Sequence, residues 1–353
     1  SENGPDVTII DAQNTGSVVT FDSGESRGSV LDGFTVQNGA GNTTPYQGGG
    51  GIRCIGTRPT INNCIIKNNS TAGDGGGIYS VKATYDYGSP LITNCVISSN
   101  QAGDTGGGVM ADLYSRPEII NCTIADNQAD TGGGIHCYAS ETTLINCIIS
   151  GNTASVLGGG LHCYNRSPNL TNCMITGNTV TGSSAGHGGG GISSFECTPV
   201  LNYCTLSGNT TNSYGGAVFC MSGGTIISNS ILWNNSGSGG VSSELRGIGA
   251  TFTVTYSDIE GGHAGIGNID ADPLFIDQAA GNFHLGLGSP CINTGNPAAA
   301  PEHDFEGEAR LASAGGDDLP DMGADEFRLS REVGPAGSGY PFTTINSAIS
   351  ASD

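Results

Sequence analysis

One phrase recurs along this chain and leaves few folds open to it: an apolar residue, any residue, Asn, Cys, any residue, an aliphatic. It reads Ile61-Asn62-Asn63-Cys64-Ile65-Ile66, then Ile92-Thr93-Asn94-Cys95-Val96-Ile97, then Ile119-Ile120-Asn121-Cys122-Thr123-Ile124. It returns as Asn146-Cys147-Ile148-Ile149, Asn172-Cys173-Met174-Ile175 and Tyr203-Cys204-Thr205-Leu206, with a degenerate copy at Asn229-Ser230-Ile231-Leu232. Successive cysteines of the phrase lie 31, 27, 25, 26 and 31 residues apart. Between the copies stands a glycine run followed by an aliphatic residue, as in Gly75-Gly76-Gly77-Ile78 and Gly132-Gly133-Gly134-Ile135. Each period therefore holds two or three short β-branched segments separated by Gly and Asn, without helical periodicity. A leucine-rich repeat needs a leucine framework, and a propeller blade needs about 40 residues. What fits is one coil of a right-handed parallel β-helix per period.

Stacking turns this spacing into columns. Parallel strands of adjacent coils lie roughly 4.8 Å apart, so equivalent residues sit above one another. Cys64, Cys95, Cys122, Cys147, Cys173 and Cys204 form one inward column, and Ile66, Ile97, Ile124, Ile149, Ile175, Leu206 and Leu232 form another on the same strand face. A third comprises Asn69, Asn100, Asn127, Asn152, Asn178, Asn209 and Asn235, whose amides can hydrogen-bond up and down as a ladder. Eight to nine coils make a rod on the order of 40 Å long.

Composition agrees with an all-β solenoid. Gly supplies 60 of 353 residues, while charged residues are only 12%. The glycines do not fall at every third position, which excludes collagen. A net charge of −21 disfavours nucleic-acid binding, which relies on a cationic surface to release counterions. No run of 18 apolar residues is present, so membrane insertion is not expected. Ser1 starts no signal peptide, so a targeting segment is expected to be absent or already removed.

The pairing of Gly-Gly-Gly-Ile with Asn-Cys-x-Ile resembles the right-handed parallel β-helix repeat proteins of bacterial surfaces, which have the pectate-lyase-like superfamily fold. The stretches Asp272-Pro273-Leu274-Phe275, Gly288-Ser289-Pro290-Cys291 and Asp321-Met322-Gly323-Ala324-Asp325-Glu326-Phe327 are similar to the segment that follows the coils in those proteins. The resemblance implies fold strongly and activity weakly, because the superfamily holds lyases, hydrolases, adhesins and inert stalks. Three regions are expected: coils over 1–260, an acidic C-terminal cap over 261–328 that covers the last coil, and a linker plus terminal segment over 329–353. Residues 258–326 hold 14 acids and one base, Arg310. The terminal Tyr340-Pro341-Phe342-Thr343-Thr344-Ile345-Asn346-Ser347-Ala348-Ile349 resembles the phrase that opens the β-helix in that family, yet here it closes the chain. Two readings account for this: a fragment boundary within a longer protein, or a segment that docks on the first coil of the next subunit. The second makes Val7, Ile9, Tyr340, Phe342, Ile345 and Ile349 assembly residues of a head-to-tail filament.

Other candidates are weighed by their chemistry. Most of the 12 cysteines read as free, buried, small apolar filler, although pairs ten residues apart (Cys54/Cys64, Cys137/Cys147, Cys163/Cys173) could meet across a coil. Gly186-His187-Gly188 is similar to a motif of polygalacturonase-type hydrolases, but the aspartates and the Arg-x-Lys that such enzymes need are missing around it. Lyases of this fold need Lys or Arg beside calcium-binding acids, and only Lys67 and Lys82 are lysines here. His136 and His162 are equivalent positions expected to stack on an outer face. Asp304, Glu306, Glu308, Asp317, Asp318 and Asp321 offer hard oxygen ligands suited to a structural Ca²⁺. Asn42, Asn68, Asn165, Asn209 and Asn234 stand in glycosylation sequons. Tyr79, Tyr85, Tyr87, Tyr114, Tyr138 and Tyr164 are expected on outward loops, where sugars could stack on them. The sequence thus points to an extracellular or cell-surface structural protein, a non-enzymatic rod that partners itself in a fibre or stalk. A polysaccharide-active enzyme or a glycan-binding adhesin of the same fold is the alternative.

Overall fold

A computed structural model describes residues 1–41, 48–83, 88–184, 186, 188–237, 244–310 and 319–327. One period, Gly132 to Leu157, shows why the chain bends where it does. Gly132 adopts φ +65°, and a Cβ there would lie 2.9 Å from Cβ of His136, so the glycine turn folds over the strand it precedes. A Cβ on Gly133 would meet the backbone oxygen of Thr153 at 2.4 Å. Strands Ile135–Tyr138, Thr143–Ile145, Ile148–Ser150 and Thr153–Leu157 follow, and Asn146 turns the chain between the second and third at φ +53°. Asn favours this left-handed turn because its short polar side chain tolerates it.

Repetition of that unit gives about nine coils. The strands that follow each Cys build a ten-stranded parallel sheet, running from Ile9–Asp11 to Asp258–Ile259. The strands after the glycine runs and before each Asn-Cys share one bent 16-stranded sheet, continuous through Val218–Ser228, and a seven-stranded sheet closes the third face. In the ten-stranded sheet register is kept residue for residue: Ile97 pairs with Ile66 on one side and Ile124 on the other.

The inner columns are buried from end to end, with Ile66, Ile97, Ile124, Ile149, Ile175, Leu206 and Leu232 at 0% exposure. Beside them the six phrase cysteines sit with Sγ 3.1–3.5 Å from the carbonyl oxygen two residues earlier, a weak S–H···O hydrogen bond. Ser230 and Ser257 occupy the next two places and donate to the equivalent oxygens of Ser228 and Thr255. The column thus requires a small side chain with one hydrogen to donate, and either Cys or Ser meets it.

The acidic segment is more than a lid on the last coil. Residues 261–270 do add to the coil end, through Ile269 N to Ser257 O and Ile259 N to Ile269 O. The rest doubles back along the flank of the coils, because side chains of the Asn-Cys turns offer it partners. Asn172 Nδ2 donates to His303 O, Tyr203 OH donates to Asn296 O, and Asn229 Oδ1 accepts from Asn296 N, each at 2.7 Å. A second small core joins Ile231 to Leu285, Cys291 and Met322.

Candidate functional site

The returning lobe leaves a cleft of about 450 Å³ between itself and the ten-stranded face. Its coil side is Ile148, Ser150, Met174, Thr176 and Thr205, and its lobe side includes Phe283, His284, Phe305, Glu306 and Asp325. Three segments distant in sequence converge there. His284, on strand Asn282–Leu285, places Nδ1 3.1 Å from Oδ1 of Asp325 and Nε2 3.4 Å from Oε1 of Glu306. Asp325 is buried, His284 partly so, and Glu306 lies open. A ring nitrogen held by a buried carboxylate fixes which face of the imidazole meets the cleft, an arrangement common behind metal-ligating histidines. Among the described residues, no Lys or Arg lines the cleft.

The lobe is pinned by the one base within residues 258–326. The Arg310 side chain is fully buried and reaches Glu326 Oε2 at 3.1 Å, Gly323 O at 2.8 Å and Asn172 Oδ1 at 3.3 Å, with its guanidinium 4.3 Å from the Tyr203 ring centre. Planar forked donors suit such a junction.

Of the acids expected to hold calcium, the four that lie among the described residues, Asp304, Glu306, Glu308 and Asp321, form no cluster of their own. Asp304 accepts the backbone amides of Glu306, Glu308 and Glu326, which ties down a turn. Asp321 accepts those of Asn293 and Phe327, and burial pushes its carboxyl up to about 6. Of those four, Glu306 reaches the cleft cluster and Glu308 lies in the same turn as Asp304; Asp317 and Asp318 lie outside the described residues. Sequence reasoning passed over His284, because nothing near it repeats.

The Asn column forms a continuous ladder. In each rung the backbone N and Nδ2 of one Asn donate to Oδ1 of the Asn one coil on, at 2.8–3.1 Å, from Asn69 through to Asn235. The other Nδ2 hydrogen goes to a carbonyl of the coil before, as from Asn100 to Ile66 O at 2.9 Å. The ladder ends on Glu244, whose buried carboxyl accepts from Asn235 N and Nδ2; burial, with Glu260 nearby, pushes it up to about 8. A second, outer ladder runs from Asn62, at a strand end, through Asn94, Asn121, Asn146 and Asn172 at the left-handed turns.

Several expectations need correction. His136 and His162 do point out of their sheet, but the glycine turns fold over them and they are buried, ring centres 5.0 Å apart. Burial holds His162 down to about 4 and His136 well below its usual value, so both are neutral at physiological pH. Tyr79 is buried too, and its hydroxyl donates to Asp112 at 2.8 Å. Tyr138, Tyr164 and Phe195 stack on successive coils with ring centres 5.3 and 5.2 Å apart, so both faces of Tyr164 are covered, while Tyr138 at the end of the stack stays exposed. Tyr114 is exposed, with Lys82 and Arg166 over its ring. Asn209 is fully buried in the ladder and unavailable to glycosylation, whereas Asn68, Asn165 and Asn234 are exposed. Val7 and Ile9 are exposed on the first coil, at 69% and 53%. Asn42, Tyr85, Tyr87, His187, Tyr340, Phe342, Ile345 and Ile349 lie outside the described residues.

Comparison with known proteins agrees with this architecture. Residues 6–180 match the family described as the right handed beta helix region, and residues 203–221 match the Chlamydia polymorphic membrane protein repeat. A crystal structure of pectate lyase Pel9A aligns with a TM-score of 0.47 at 14% identity, over 91% of this chain and 88% of that one. No curated protein matches. The chain is a right-handed parallel β-helix protein. Among the described residues, no helix is long and apolar enough to cross a membrane.

Proposed function

We propose that this protein is a structural element of a cell surface or secreted assembly, a rod that spaces and displays rather than transforms. The observation that carries the reading is the unbroken ladder from Asn69 to Glu244, which closes the buried polar groups of every turn it passes. A stack so satisfied resists bending and local opening. The match of residues 203–221 to a polymorphic membrane protein repeat supports a surface setting. In the finer form of the proposal, rods join head to tail, with residues 340–349 of one copy pairing with the Ile9–Asp11 edge of the next. The exposure of Val7, Ile9 and Val30 there supports it. Electron microscopy and light scattering of the full chain, beside a chain ending at residue 327, test this. Filaments lost on truncation support it, and an unchanged oligomeric state sinks the assembly step. Turnover of an acidic polysaccharide, abolished by replacing a coil carboxylate, overturns the structural reading itself.

A second reading is favoured by the His284, Glu306 and Asp325 cluster: the cleft holds a divalent cation. An imidazole among the donors suits zinc better than calcium, which prefers oxygen ligands alone. Calorimetric titration with Zn²⁺ and with Ca²⁺ separates the two, and His284→Ala must abolish the zinc isotherm for the reading to stand.

A further inference from the structure

Cys163 and Cys197 meet sulfur to sulfur from different parts of the coil, and Cys197 Sγ also lies 3.3 Å from Cys163 O. Cys163 ends an inward run on strand Leu161–Tyr164 and pairs across the ladder with Ser194, while Cys197 lies three residues beyond Ser194, after a left-handed turn at Glu196. The turn aims its side chain back at the coil below, and the two Sγ atoms stand 2.8 Å apart. Unbonded carbons settle at roughly 3.5–4.0 Å and sulfur is larger, whereas a disulfide bond is about 2.05 Å long. A parallel place three coils nearer the N-terminus holds Ser80 and Ser115, whose hydroxyls meet at 2.7 Å, an ordinary hydrogen bond. Sulfur in place of oxygen at such a spacing is a contact on the way to a covalent bond.

The remaining thiols have other work. The six phrase cysteines donate to carbonyl oxygens, Cys137 meets Thr142 Oγ1 at 3.2 Å, Cys220 donates to Gly224 O, and Cys291 donates to Asp258. Cys54 hydrogen-bonds to Thr57. Stacked column neighbours also have parallel Cα–Cβ bonds, a poor geometry for a bridge. Cys163 and Cys197 alone reach each other from different parts of the coil.

We propose that Cys163 and Cys197 form a disulfide that staples two adjacent coils, while the other ten cysteines stay reduced. Both sulfurs are buried in the folded coil, and burial drives the Cys163 thiol well above its usual range, so the bond forms before these coils close. The oxidant is a low-molecular-weight disulfide of an oxidising compartment. The Cys197 thiolate attacks it and releases one small thiolate, leaving a mixed disulfide. The Cys163 thiolate then attacks the Cys197 sulfur, closes the bond and releases the second. Two protons leave the protein, and the small disulfide is reduced to two thiols. The consequence is mechanical: the middle of the rod is tied covalently across two coils, 34 residues apart in sequence.

The test is a thiol count on the full chain, produced with secretion into an oxidising compartment and alkylated on denaturation without reductant. The staple predicts two fewer reactive thiols than the 12 cysteines of the sequence. It predicts one non-reduced proteolytic species joining the peptides of Cys163 and Cys197. Cys163→Ser must raise the count by one, because Cys197 is released, and reductant must lower the denaturant midpoint of the wild type but not of the Cys163→Ser, Cys197→Ser double variant. Twelve reactive thiols in the wild type overturn the proposal, as does a bond mapped instead to Cys137 or Cys220.

Discussion

The coils and the lobe that doubles back on them are stabilised in opposite ways. In the coils most contacts repeat, the Cys163–Cys197 approach being an exception: each rung repeats the last, and a buried amide, thiol or carbonyl meets the same kind of partner in coil after coil. The lobe has no repeat, and it is held by a few single-copy contacts, Arg310 on Glu326, Tyr203 on Asn296 and Asn172 on His303. A periodic structure spreads its stability evenly but transmits a local fault, because each residue serves two neighbours. An aperiodic one concentrates stability in anchors and fails locally.

The sharpest way to break this contrast is within the ladder. Asn127→Ala strips the acceptor from Asn100 N and from one Nδ2 hydrogen of Asn100, leaves Ile97 O without the Asn127 amide, and leaves Asn152 Oδ1 with one donor, the backbone N of residue 127, in place of two. At about 1–3 kcal/mol for each buried group left unmet, partly offset by relaxation, the loss is roughly 5 kcal/mol. Urea unfolding should show it in the main transition, and a loss below about 1 kcal/mol makes the ladder ornamental.

Next in size is the pH response of the ladder's end. Glu244 titrates near 8 when folded and near 4.5 as an ordinary carboxyl, so the folded state binds the extra proton between those values. Its contribution is fully present below about pH 4.5 and is lost as pH rises to 8, on the order of 4 kcal/mol. Asp258 and Asp321, each raised to about 6 by burial, act in the same sense from about pH 4 to 6. Thermal unfolding across pH 4–8 should show falling stability, flattened in Glu244→Gln, and a midpoint that rises towards pH 8 contradicts the assignment.

Arg310→Met probes the lobe. It leaves Glu326 buried without its cation, a change worth about 3 kcal/mol. Hydrogen exchange should accelerate in residues 290–310 and 319–327 while coil amides keep their protection. Acceleration through the coils as well would mean that the two regions unfold as one. Smallest is Cys122→Ser, for which Ser230 and Ser257 set the precedent. Its hydroxyl can donate to Ile120 O as the thiol does, and a cost of about 1 kcal/mol in the urea midpoint is expected.

This contrast also explains what could be read from the sequence. The inward columns and the Asn ladder were legible because each coil poses the same problem, so the same residue type returns at the same place. His136 and His162 were misplaced because strand alternation tells which way a side chain points but not what folds over it. Of the cleft cluster, Glu306 was legible as a cation ligand, but its partner His284 was not, for a different reason. His284, Glu306 and Asp325 occur once each, in segments with no period, and are brought together by a lobe whose path depends on Asn172, Tyr203 and Asn229 on the coil flank.

The constancy of register despite coils of 25 to 31 residues has a consequence for length. Removing residues 122–146 would join Asn121 to Cys147, restore Asn-Cys-Ile-Ile at the junction and hand the rung of Asn100 directly to Asn152. Such a rod is quantised: it can lose or gain height in single steps of roughly 4.8 Å, with the ladder and the inward columns rejoined across the junction.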